Sequence, residues 1–155
     1  MNIPFVSLLF QGIPEITAVV ILAFVIARVP LKWNKALLLG TILAFCVYVV
    51  RLLPIPFGSH TILLLFLLFI VLTRSAKGDA GLSFIACLVS LLALAIYEFT
   101  CFSLFMQITG FKSEAIFKED LLLRILVGEL QVLLLLFSAF LLNKFLHKRD
   151  FANFQ

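Results

Sequence analysis

Leu121 to Phe140 reads LLLRILVGELQVLLLLFSAF, a run apolar enough to cross a bilayer that nevertheless carries Arg124, Glu129 and Gln131. A hydrocarbon core about 30 Å thick takes about 20 helical residues. Ionisable groups at that depth are rare, face protein or water rather than lipid, and mark a functional-site hypothesis. The rest of the chain supplies their partners.

The 155 residues are 64% hydrophobic and 13% charged, with a mean hydropathy of +1.23, whereas a soluble domain is about half apolar and a quarter charged. A single all-α transmembrane domain over residues 1–155 is therefore expected, with no room for an appended soluble domain. The net charge of +4 comes from basic residues at the ends of apolar segments, so it does not signal nucleic-acid binding. The first basic residue is Arg28, and without a positive n-region the N-terminal stretch reads as a retained span rather than a signal peptide.

Five spans are expected, at about 5–28, 36–53, 60–73, 81–107 and 121–143. In the first, Pro14 cannot donate to the Phe10 carbonyl, so a kinked helix is expected there. A separate surface helix over residues 2–12 is the other option. Ser7, Gln11 and Glu15 follow at four-residue spacing, a polar stripe on an apolar helix. Arg28, Lys32, Trp33 and Lys35 form a basic, aromatic first loop. In the second span Gly40 and Ala44 make a small-xxx-small pair suited to close helix contact. The Pro54 to Ser59 stretch is a turn by composition. The third span has no polar side chain from Ile62 to Leu72 and is expected to be the most lipid-exposed. Arg74, Lys77 and Asp79 make the second loop. On the fourth span Ser83, Cys87, Ser90, Leu94, Tyr97 and Cys101 share a packing face. Lys144, His147, Lys148 and Arg149 close the fifth.

Basic residues thus gather in the first and second loops and at the C-terminus, which predicts a cytoplasmic C-terminus and an outside N-terminus. In that topology Glu15, Arg51, Glu98, Arg124 and Glu129 all fall in the outer half or near the midplane. Arg124, Gly128, Gln131 and Ser138 lie on one stripe, while Glu129 is rotated from Arg124 by about 140° at about 100° per residue. Two readings fit. The charges pair and fix helix register, or Glu15, Arg51, Glu98, Arg124, Glu129 and Gln131 line a polar cavity for a cationic or hydrogen-bonding ligand.

Catalysis finds no footing. His60 and His147 fall on opposite sides of the membrane, and no metal spacing, nucleophile motif or phosphate loop is present. Cys46, Cys87 and Cys101 lie in apolar segments and read as small buried hydrophobes. Neither a cofactor nor a metal is expected.

With Gly12-Ile13-Pro14-Glu15 in its first helix and Arg51-Leu52-Leu53-Pro54 closing its second, the five-span layout resembles the membrane sensor region of bacterial peptide-sensing histidine kinases of the accessory-gene-regulator type. That resemblance implies reception of an extracellular peptide and signalling to a cytoplasmic kinase. Here Gln155 follows the last span directly, without kinase segments. The expectation is a receptor-like or accessory module in a bacterial inner membrane, binding a peptide or small ligand and acting through a protein partner or a homo-oligomer. A substrate-binding subunit of a vitamin-type importer and a structural subunit of a membrane complex are the alternatives.

Overall fold

In a computed structural model, residues 6, 8–30, 32–53, 59–110 and 121–152 are described. Every element among them is helical. A π-helical turn, Leu8–Gly12, leads into α1, Ile13–Ile26, and is followed by α2, Trp33–Leu52; α3, Ser59–Ser75; α4, Ala80–Thr109; and α5, Leu121–Ala152. Four of these helices are long and apolar enough to cross a membrane, and α3 is a shorter apolar helix. The chain is an all-helical, multi-pass membrane bundle. Ser7, the Pro54 to Gly58 part of the expected turn and residues 111–120 lie outside the described residues.

The bundle is built around α1. All eight residues from Ala18 to Val25 are buried, and eight residues exceed two turns, so every side of the helix is covered. It packs on α2, α4 and α5, and more lightly on α3. A helix apolar on all sides is one that others surround. In lipid, where apolar surface alone gives no reason for helices to associate, close van der Waals fit drives the packing. Gly40 of α2 supplies it, because a Cβ there would lie 2.7 Å from Thr17 Cα. Ala44, one turn on, is fully buried on the same face.

The other helices are half lipid-facing. On α3, Leu64, Leu68 and Leu72 are buried while Ile62, Phe66 and Ile70 are exposed, and Phe69 meets Phe84 of α4 edge to face at 6.1 Å. Ser83, Cys87, Ser90 and Cys101 form the buried stripe of α4; Gln131, Val132, Leu135 and Ala139 form that of α5. All three cysteines are free thiols.

Two boundaries differ from expectation. Trp33 and Lys35, expected in the first loop, belong to the first turn of α2, because nothing after Pro30 interrupts a helix. Helix α5 continues from the expected end at residue 143 to Ala152. The segment Lys144 to Ala152 contains neither Gly nor Pro, and its cations favour a helix C-terminal end.

The loops at the basic end are closed by local hydrogen bonds. After α1 the Val29 N–H donates to the Phe24 carbonyl at 3.0 Å, with Arg28 at φ 55°. After α3 the Gly78 N–H donates to the Thr73 carbonyl at 3.0 Å, with Lys77 at φ 56°. Both are six-to-one caps with a cation in the left-handed position usually held by glycine, where it faces the negative end of the helix dipole. Asp79 then caps α4, accepting from the Leu82 N–H at 3.1 Å.

Candidate functional site

Pro14 has no N–H, and its ring crowds the carbonyl one turn earlier. Where a kink is expected, the backbone winds through the wide π turn Leu8–Gly12. Such turns advance less than 100° per residue and displace the side chains they carry. Gln11, in this turn, is brought against Gly128 of α5: a Cβ on Gly128 would lie 2.8 Å from Gln11 Nε2. The absence of a side chain at Gly128 makes the seat for the glutamine.

Beside that seat is a cleft of about 390 Å³ between the π turn, α4 and α5. Gln11, Glu98 and Gln131 supply its polar groups, and Phe99 and Phe102 its aromatic ones. Glu98 and Phe99 are exposed at the rim. Gln131 is 4% exposed, and its Nε2 has no hydrogen-bond partner among the described residues. An unsatisfied buried amide costs about 1–3 kcal/mol. Below the cleft, the Tyr97 hydroxyl of α4 bonds Ser138 Oγ of α5, which donates to the Leu134 carbonyl at 2.9 Å. This bond ties the two walls together.

Of the six residues expected to form a polar cluster, the cleft joins Glu98 and Gln131. Glu15 and Glu129 are half-buried but do not line it. Arg51 and Arg124 sit in α2 and α5, and their side chains lie outside what is described. Gln11 is the residue that sequence reasoning left off the site, although the stripe of Ser7, Gln11 and Glu15 pointed to it. Regular α winding would put Gln11 and Glu15 on one face, and the cleft takes Gln11 without Glu15.

The cleft contains a carboxylate, two amides and two phenyl rings. This is a set for recognising a hydrogen-bonding or cationic group attached to an apolar body. Among the described residues no three His, Cys, Asp or Glu side chains come together as a metal site. His60 opens α3 and His147 lies near the end of α5, at opposite ends of the bundle. No family model, curated protein or solved structure matches this chain.

Proposed function

We propose that this is a non-catalytic, five-span receptor-like membrane protein that binds a peptide terminus or small ligand in the cleft of Gln11, Glu98 and Gln131 and signals through a protein partner. The orientation follows from charge. Arg28, Lys32, Lys35, Arg74, Lys77, Lys144 and Lys148 are all exposed at helix ends or in loops of one end of the bundle, which is the cytoplasmic end by the excess of Lys and Arg. The cleft lies towards the opposite end and therefore faces outward. The basic end of α5 is the handle for a partner.

The observation that carries this reading is Gln131 Nε2. A buried amide without a partner is retained at a cost in stability unless something else satisfies it. At about 390 Å³ the cleft is near the lower end of ligand sites, which run to about 1,000 Å³, so it suits a small molecule or the end of a peptide rather than a whole folded partner. Glu98 at the rim favours a ligand with an ammonium or other donor group.

Native mass spectrometry of the protein extracted gently from its own membrane tests this. The expected result is an adduct, lost in Gln131→Leu and in Glu98→Gln while both variants still insert. Its mass separates a peptide from a vitamin-sized molecule. A bare chain, or one seen only in a stoichiometric protein complex, overturns the reading in favour of a structural subunit.

A further inference from the structure

A second concavity lies at the basic end, between α5 and a different neighbour, α1. It is a groove of about 360 Å³ lined by Ile21 and Val25 of α1, Trp33 of α2, and Leu136, Ala139 and Asn143 of α5 among others. Helices α1 and α5 run parallel here, since Gln11 meets Gly128 at one end while Ile21 and Val25 face Leu136 and Ala139 at the other. Along α5 the groove extends from Leu133 to Asn143, about 15 Å at 1.5 Å per residue. That is half of a hydrocarbon core about 30 Å thick, the depth of one leaflet.

The groove is graded. Its lining is aliphatic and aromatic, and the two lining residues with a polar side-chain group, Trp33 and Asn143, stand towards the basic ends of their helices. Those two residues are adjoined in sequence by Lys32 and Lys144, both exposed. Tryptophan and lysine at the end of an apolar span sit at headgroup level. The apolar floor of the groove is as long as one acyl chain is deep in a leaflet, about 15 Å.

We propose that this groove is a specific binding site for an anionic phospholipid of the cytoplasmic leaflet. The acyl chain lies between α1 and α5, and the phosphate is held at the mouth by Lys32 and Lys144 with the Trp33 and Asn143 donors. Basic pockets between spans on the cytoplasmic side select anionic headgroups in this way. The site does not depend on the ligand reading of the outer cleft. It depends on the chain spanning a bilayer.

Trp33 is the single tryptophan of the chain, so its fluorescence reports on this site alone. The protein is reconstituted into phosphatidylcholine vesicles doped with phosphatidylglycerol carrying bromines on the upper acyl chain. The bromines quench Trp33 on contact. Selective binding predicts quenching above that given by brominated phosphatidylcholine at the same mole fraction, with an enrichment of about fivefold for each lysine. Lys32→Gln with Lys144→Gln should bring the two lipids to parity. Leu136→Phe fills the groove from a half-buried wall position and should remove the preference with both lysines intact. Equal quenching by the two lipids in the wild type overturns the proposal. So does a preference that survives in a folded Leu136→Phe protein, because it would then be surface charge and not the groove that selects.

Discussion

Two glycines mark close approaches of α1 and its preceding turn to their neighbours, and each has near it a buried polar atom without a partner among the described residues. At Gly40 the neighbours are Oγ1, Cβ and the backbone Cα of Thr17, and that Oγ1 has no hydrogen-bond partner among the described residues. At Gly128 the neighbour is the flexible side chain of Gln11, and the unpartnered atom is Gln131 Nε2, one turn along α5. The difference lies in what surrounds each. Thr17 lines neither of the two clefts, whereas Gln131 opens onto one shared with Glu98. The first contact is closed packing and the second is a seat with space beside it. In lipid an orphaned polar atom is thus informative only together with its surroundings.

The largest effect is expected at the closed contact. Gly40→Ala would place a methyl group 2.7 Å from Thr17 Cα and 2.8 Å from Thr17 Cβ. Backbone cannot swing aside as a side chain does, so α1 and α2 must separate, at a cost of about 3 kcal/mol. Titration of helicity with a denaturing detergent measures it. A Gly40→Ala protein as stable as wild type would show that α1 and α2 are not in backbone contact.

Next is Gln131→Leu. Removing an unsatisfied buried amide should stabilise the bundle by about 1–3 kcal/mol, while the ligand adduct disappears. Higher stability with lost binding is the signature of a polar group kept for recognition. Loss of stability instead would show that the amide has a structural partner, and the two contacts would no longer differ in kind.

Thr17→Val sharpens the same contrast from the closed side. Six other hydroxyls, those of Thr41, Thr73, Ser83, Ser90, Thr100 and Ser138, donate to the carbonyl one turn back at 2.7–2.9 Å. Thr17 does not, because its Oγ1 is turned towards Gly40. Valine keeps the shape without the hydroxyl, so a gain of about 1 kcal/mol is expected, read by the same titration. Ligand retention should not change. If Thr17→Val also loses the adduct, the effect of Gln131→Leu cannot be assigned to the cleft.

Much of this was legible in the sequence, and the rest was hidden for identifiable reasons. The places of the long apolar helices follow from apolar length, and the buried stripe of α4 follows from helical spacing. Gly40 and Ala44 marked a face for close helix contact by their size, but not that α1 is the helix that meets it. The central place of α1 was less legible, because a run apolar on all sides looks the same whether lipid or protein surrounds it. The grouping of Glu15, Glu98 and Glu129 rested on depth alone. Depth fixes the height of a residue in the membrane but not its direction around the helix, and Glu98 is the one of the three that reaches the cleft. Gln11 stood in the stripe of Ser7, Gln11 and Glu15, but four-residue spacing does not say which member of a stripe reaches a cleft, and Gln11 does so without Glu15.

The smallest effect on stability is expected at Gly128, and it tests the comparison most directly. Gly128→Ala meets Gln11 Nε2 at 2.8 Å, Cγ at 2.9 Å and Cδ at 3.0 Å, all atoms of a side chain able to rotate away. Alanine is also favoured over glycine within a helix by about 0.5–1 kcal/mol. The two terms nearly cancel, so the change in stability should stay within about 0.5 kcal/mol. Binding should not be spared, because Gln11 can leave its seat only by moving relative to Glu98 and Gln131. The adduct should weaken by about tenfold, the loss of one hydrogen bond of about 1.4 kcal/mol. A Gly128→Ala protein destabilised as much as Gly40→Ala would make both glycines packing contacts of one kind. A protein unchanged in both stability and binding would remove Gln11 from the site and leave Glu98 and Gln131 to hold the ligand.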